Sequence, residues 1–280
     1  MTTVQPAPAS GDPASGDPTS GGPSGGSAHP LTPGVPALTG TPRAHGDHDV
    51  HPLDNPAWAS LTGPHTHFAE SVGRARRYPR DVSPFVAVPN VSTVPDPEIW
   101  RDLAELAGPG QIVALSGSPA LAGTLPAGWE IAMQGEGVQL VATDDLVTAP
   151  DEEAVRLGEA DVAEMLDLVA RTRPGPFEPR TYQLGTYLGI RRGGALVAMA
   201  GERLHPPGWR EISAVCTDPA YRGQGLGTRL VKAVAHGIRE RGETPLMHAA
   251  ASNENAIRLY LSLGFARRRR TGFFGFRTPR

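Results

Sequence analysis

Trp209-Arg210-Glu211-Ile212-Ser213-Ala214-Val215-Cys216-Thr217 leads straight into Asp218-Pro219-Ala220-Tyr221-Arg222-Gly223-Gln224-Gly225-Leu226-Gly227-Thr228. The first nine residues alternate as a strand does, with Ile212, Ala214 and Cys216 on one side and Glu211, Ser213, Val215 and Thr217 on the other. From there Leu226, Leu230, Val234 and Ile238 recur every four residues, the stripe of a helix that buries one face. Between strand and helix lies a glycine loop. Gly223, Gly225 and Gly227 remove side chains where a backbone must approach a ligand, and the first amides of the helix point outward, unpaired, at its positive end. That combination suits a pyrophosphate, although a tight structural turn would use the same glycines. The loop lacks the Gly-Lys-Ser/Thr ending of a P-loop and the Gly-x-Gly-x-x-Gly spacing of a dinucleotide fold, which weakens both nucleotide readings.

Upstream, Val155 and Leu157 read as a short strand, and Asp161-Val162-Ala163-Glu164 as a capping box that opens a helix, Asp161 at the cap and Glu164 reaching back. Val162, Met165, Leu166 and Val169 form its core-facing stripe, and Arg173-Pro174-Gly175-Pro176 breaks it. Arg192-Gly193-Gly194 turns a hairpin between residues 187–191 and 195–204. Downstream, residues 246–251 read as a strand. Asn253-Glu254-Asn255-Ala256-Ile257-Arg258-Leu259-Tyr260 then opens a second helix, closed by Leu263-Gly264-Phe265.

Arg222-x-x-Gly225-x-Gly227 resembles the Arg/Gln-x-x-Gly-x-Gly/Ala acyl-CoA motif of the GNAT superfamily, and Asn253-x-x-Ala256-x-x-x-Tyr260 followed by Gly264-Phe265 resembles its second hallmark. Both occur in order, one helix and one strand apart. The resemblance covers residues 153–276 and is most like the glycine N-acyltransferase-like branch. It implies an α/β (α+β) fold with a mixed, mostly antiparallel sheet whose fourth and fifth strands splay apart to admit pantetheine. It implies an acyl-CoA-dependent N-acyltransferase, with acetyl-CoA or another acyl-CoA as cosubstrate and a primary amine as acceptor, the acyl group passing directly in a ternary complex. Val215, Cys216 and Thr217 would lie along the pantetheine arm, and the amides of Arg222, Gly223, Gln224, Gly225, Leu226, Gly227 and Thr228 would hold the pyrophosphate. Asn253 and Ala256 would touch the cofactor. Tyr260 would stand near the thioester sulfur and protonate the departing thiolate, for which a phenol of pKa ~10 is a workable donor. A core tyrosine beside Ile257 and Leu261 is the structural alternative. The alternative function is a catalytically silent acyl-CoA-binding module, against which intact Arg222, Gly225, Gly227, Asn253 and Tyr260 argue.

The superfamily fixes no position for a general base, yet an alkylammonium of pKa ~10.4 loses its proton at pH 7 at a cost of about 4–5 kcal/mol. Glu211 lies eleven residues before Arg222, the spacing at which the histone-acetyltransferase branch places its catalytic glutamate, and the strand alternation puts it on the face of Val215. It is the candidate base through a water relay, with a solvated strand glutamate as the plain alternative. His248 is a weaker candidate, since a histidine there is more often a satisfied core residue. Cys216 reads as buried packing and not as a nucleophile.

The rest of the chain fits around that domain. Residues 1–54, rich in Pro, Gly and Ser and carrying the tandem Ser10-Gly11-Asp12-Pro13 and Ser15-Gly16-Asp17-Pro18, read as a disordered tail, with His45, His48 and His51 solvated and not a metal site. Residues 55–149 read as a small supporting α/β module, with a helix at 97–107 ended by Gly108-Pro109-Gly110 and strands at 111–115 and 129–142. Residues 150–280 are the transferase domain. A net charge of −3 argues against a nucleic-acid partner, and Arg267-Arg268-Arg269-Arg270, alternating across a strand, would not form one patch. Cys216 is the sole cysteine, so no disulfide and no thiolate metal cluster is expected. The start of the chain lacks the pattern of a signal peptide, and no run reaches the ~20 apolar residues of a membrane span. These point to a cytoplasmic setting.

Overall fold

The computed structural model describes residues 51–92, 95–123 and 125–280, so residues 1–50 of the tail expected at 1–54, with its tandem and with His45 and His48, lie outside the described residues. The first ordered helix, α1 (Pro56–Leu61), is capped by Asn55, whose Oδ1 accepts from the Trp58 amide while its Nδ2 donates to Val88 O at 2.7 Å. Three short strands, β1 (Glu70–Val72), β2 (Ala75–Arg77) and β3 (Val86–Ala87), make a small antiparallel sheet. Helix α2 (Pro97–Ala107) has the limits its stripe and breakers predict: Asp96 caps the Ile99 amide, Pro97 takes the first turn, and Gly108 leaves at φ +84°.

The main sheet holds β4 (Ile112–Gly117), β5 (Glu130–Ala142), β6 (Val155–Leu157), β7 (Tyr187–Arg192), β8 (Ala195–Glu202), β9 (Trp209–Thr217), β10 (Thr244–Ala250) and β11 (Phe265–Arg277). Their order across the sheet is β4-β11-β5-β10-β9-β8-β7-β6, antiparallel throughout except for β9 beside β10. Helices α4 (Leu226–Glu240) and α5 (Glu254–Ser262) cover one face, where Leu230, Val234 and Ile238 bury against Val138, Leu140 and Met247. Helix α3 (Val162–Thr172) covers the other, packing Met165 and Leu168 against Tyr187, Met199 and Cys216. Trp100 and Leu103 of α2 pack with Trp129, Phe274 and Phe276 at the β4–β11 end.

Four expectations change here. The boundary drawn at 149/150 does not divide the sheet: β5 lies inside it, between β10 and β11, because Val138 and Leu140 belong to the core under α4. Residues 51–54 belong to the folded body and not to a tail. Leu53 is fully buried, its carbonyl accepts from Gln139 Nε2 at 2.8 Å, and Asp54 takes Arg268 and Arg269 at 2.7 and 3.0 Å. Those two arginines reach one carboxylate because a bulge at Arg268 cancels the strand alternation. The capping box at Asp161 does not form, since Arg191 draws both carboxylates away. Asp161 accepts from Arg191 and from the Gly158 amide behind it, and Glu164 accepts from Arg191 and from the Leu196 amide.

Because Leu53 anchors the start of the described chain, Leu53→Ala should cost ~2–5 kcal/mol and lower the melting temperature by roughly 5 °C or more. A melting temperature within about 1 °C of wild type, by calorimetry at equal concentration, would show that residues 51–54 do not hold on to the body.

Candidate active site

Strands β9 and β10 pair only from Trp209–Thr244 to Ile212–Met247, after which they separate. Part of the cause is local. Ala214 adopts φ +53°, and it and Val215 together face the single residue Ala200 of β8, a bulge that bends β9. Ser213 to Thr217 and His248 to Ala250 become opposite walls of a cleft of about 960 Å³. Asn253, the N-cap of α5, and Ala256 and Tyr260 within it add to the wall, as do Met133 to Glu136 of β5 and, from the early part of the chain, Phe85 and Ala114.

At one edge of the cleft the glycine loop opens into α4. Gly225 is the helix N-cap at φ +73°, with no side chain bonding the first-turn amides, so Leu226, Gly227 and Thr228 begin the helix with donors directed outward. A Cβ on Gly225 would meet nothing within 4 Å, whereas one on Gly227 would lie 3.7 Å from Thr217 Oγ1 and 3.8 Å from Val215 Cγ1. Gly225 is thus fixed by its backbone conformation, whereas a Cβ on Gly227 would make only ordinary contacts with β9. Arg222 borders the cleft, its Nε donating to Thr217 O at 3.4 Å.

Tyr260 is 7% exposed, packs edge-on against Phe265, and has no hydrogen-bond partner for its hydroxyl among the described residues. Burial pushes its pKa up to about 12, so the phenol keeps its proton over the whole range in which an enzyme works. Burial likewise raises the Cys216 thiol to about 11. Cys216 is wedged beside Met199 and Leu168, as a packing residue would be.

A buried polar chain crosses the sheet behind the cleft. Glu211, with no exposed surface, accepts from Arg203 Nε and Nη2 at 3.0 and 2.7 Å, from the Leu204 amide at 3.3 Å and from His248 Nδ1 at 2.8 Å. Gln139 gives its Oε1 to Arg268 and donates Nε2 to Leu53 O, which fixes the amide; its 3.0 Å bond to His248 Nε2 is therefore a donation. His248 accordingly has both ring nitrogens committed. Burial would raise the Glu211 carboxyl, but the Arg203 charge and the His248 bond outweigh it and hold it well below the usual carboxylate range.

A family model described as FR47-like protein matches residues 187–274. The N-alpha-acetyltransferase RimI of Mycobacterium tuberculosis (strain H37Rv) is 35% identical over 131 residues, 42% of this chain and 82% of that protein. A mycothiol acetyltransferase of Thermomonospora curvata is 37% identical over 102 residues, and the chain spans 33% of its length. A crystal structure of a putative acetyltransferase of the GNAT family from Novosphingobium aromaticivorans superposes with a TM-score of 0.74 at 37% identity, over 82% of this chain and 100% of that one. The chain belongs to the GNAT family of acetyltransferases. It is an acyl-CoA-dependent N-acyltransferase, and the share matched in the Novosphingobium structure is larger than residues 150–280 alone provide.

Within this GNAT fold the cleft brings together Val215, Cys216, Thr217, Arg222, Gly227, Asn253, Ala256 and Tyr260, with Gly223, Gln224, Gly225, Leu226 and Thr228 in the adjoining loop and helix start. Glu211 is the exception, and the bulge explains it. Ile212 and Val215 both turn toward α4, so Glu211 lies on the face opposite Val215, and its four bonds leave no lone pair for a relayed proton. Arg203, Phe85 and Gln139 belong to the site without any mark in the sequence, since a single arginine, phenylalanine or glutamine without a patterned neighbour gives no local signal. If Glu211 anchors Arg203, Glu211→Gln should destabilise the fold by ~3–5 kcal/mol at pH 7, because a buried guanidinium loses its counter-charge. A carboxyl held low stabilises above the ordinary carboxylate range and loses that contribution as the pH falls through it, so the deficit of the variant should narrow on acidification. Urea unfolding at pH 7 and in steps below pH 4.5 measures this, and a deficit constant with pH would contradict it.

Proposed function

We propose that the chain transfers an acetyl group from acetyl-CoA to a primary amine by direct attack in a ternary complex, with cleft water and not a side chain removing the proton of the amine. The observation that carries this reading is the convergence, in one cleft, of the unpaired edge of β9, the open start of α4 and the unpartnered Tyr260 hydroxyl. The residues fit such a donor. Beyond Ile212 the edge of β9 toward β10 is unpaired, so backbone groups at Val215 and Thr217 are available to the pantetheine amides, while those of Cys216 between them face Met199 of β8. The amides from Arg222 to Thr228 offer an electropositive cradle in which Gly223, Gly225 and Gly227 carry no side chain, and Asn253 and Ala256 border the slot from the start of α5.

The amine nitrogen attacks the thioester carbon, the new C–N bond forms, and the C–S bond breaks with the electron pair going to sulfur. Tyr260 steadies that sulfur. Full transfer from a phenol of pKa about 12 to a thiolate whose acid has pKa ~8.5 is uphill by about 5 kcal/mol, so the hydroxyl serves as a hydrogen-bond donor to the developing charge. The nitrogen loses its proton to cleft water, because Glu211 and His248 have their acceptors filled. The resemblance to the glycine N-acyltransferase-like branch belongs to this reading and makes longer acyl-CoAs donors to compare with acetyl-CoA. So does a cytoplasmic site of action; among the described residues no helix is long and apolar enough to cross a membrane.

Tyr260→Phe should keep acetyl-CoA affinity while turnover falls by ~10–10²-fold, read by CoA thiol release. Without an enzyme base, kcat/KM should rise with pH along a limb that moves with the acceptor, from a midpoint near ~8 for an α-amino group toward ~10.4 for an alkylamine. A limb that stays at one pH for all acceptors would restore a side-chain base. Gly227→Val tests the slot without straining the loop, since its Cβ makes only ordinary contacts. It should abolish acetyl-CoA binding in calorimetry at unchanged melting temperature, and undiminished affinity would move the donor site elsewhere.

A further inference from the structure

Arg203 follows β8, is 9% exposed and lines the cleft. Two of its three guanidinium nitrogens, Nε and Nη2, are bound side-on by Glu211. Nη1 has no hydrogen-bond partner among the described residues; even the Tyr187 hydroxyl, itself without one, is not bonded to it. Arg203 lines the cleft, so Nη1 is the nitrogen of its guanidinium left to meet a ligand there. The group is rigid. Glu211 is held in turn by His248 and the Leu204 amide, and the ring of Phe85 lies 4.9 Å from Arg203 Cζ. A guanidinium with one free edge, fixed on a carboxylate and an aromatic ring beside apolar Phe273 and Ala114, is a prepared donor for an oxygen anion.

The charges around it select the occupant. The charged side chains lining the cleft are Arg173, Arg203, Arg222 and Glu136, and Glu136 is taken by Arg270 at 2.7 Å. Arg203 is balanced by Glu211 and Arg222 stands at the glycine loop, so what is left to satisfy at the acceptor end is the unpaired Nη1 edge. An amine that also carries a carboxylate would place its anion on Nη1 while its nitrogen faces the thioester.

Resting on the acyltransferase reading above, we infer that Arg203 is the specificity residue of the acceptor site, selecting small amines with a carboxylate near the amino group, such as free α-amino acids. A polypeptide N-terminus presents a neutral carbonyl at the same place and is the competing source of an oxygen acceptor. The two separate by charge.

The test uses the full chain saturated with CoA and measures, by calorimetry, binding of N-acetyl amino acids against their N-acetyl amides. The panel covers small, aromatic, acidic and basic side chains. In wild type at least one acid should bind roughly tenfold tighter than its amide, the scale of one charge-assisted contact. Arg203→Lys, which keeps a cation for Glu211 but loses the planar fork, should reduce that ratio to about threefold or less. The wild-type ratio stands by itself if the variant does not fold. Amides binding as well as acids throughout would overturn the inference in favour of polypeptide N-termini, and no acid binding at about 10 mM would overturn it outright. If CoA itself does not bind, the transferase reading fails separately, and the same acid-to-amide ratio on the CoA-free chain still decides the role of Arg203.

Discussion

β9 and β10 run side by side for four registered pairs, Trp209–Thr244 to Ile212–Met247, and then lose each other. The loss exposes backbone groups that a parallel sheet would normally consume, and the cost of leaving such groups unpaired in a closed interior is what makes the gap a ligand site and not a defect. The glycine loop, the start of α4 and the inner face of α5 stand around that gap because α4 connects the two strands and α5 follows the second. The bulge at Ala214 has a further effect. By reversing the alternation it keeps Val215 under α4 while sending Glu211 to the far face, and so it separates the slot for a donor from the charged network behind.

That network explains why the early part of the chain matters to the site. β5 enters the sheet beside β10 and brings Gln139 opposite His248, while the buried turn at Leu53 fixes Gln139 from behind. Phe85 comes from the same early region and lies under Arg203. A buried ion pair such as Arg203–Glu211 is weak grounds for stability, since desolvation offsets its attraction. Its value here is geometric, because it presents one edge of a cation to the cleft at a fixed place.

Much of this was legible in the sequence. Helix α2 and strand β9 begin and end where proline, glycine and the apolar period place them, and the paired motifs around Arg222 and Tyr260 locate the cleft. What was not legible has one physical character, dependence on residues far apart in the chain. Nothing local marks Ala214 for a positive φ, since glycine would be the expected residue there. Nothing in residues 129–142 says that their partners are 265–277 on one side and 246–250 on the other. Asp161 and Glu164 have the spacing of a capping box, and Arg191, thirty residues on from Asp161, overrides it. Strands of two or three residues, such as β1 to β3, are too short to show a period at all.

If the parted strands and the open helix start receive the acyl donor through backbone groups, bound acetyl-CoA covers their amides, and hydrogen exchange of the intact protein with and without acetyl-CoA, resolved to single amides, reads this out. Exchange should slow by roughly tenfold or more at Val215, Thr217 and the amides from Gly223 to Thr228, with no comparable change in α2 or β4. Saturating acetyl-CoA that leaves those amides exchanging at the free rate would contradict it.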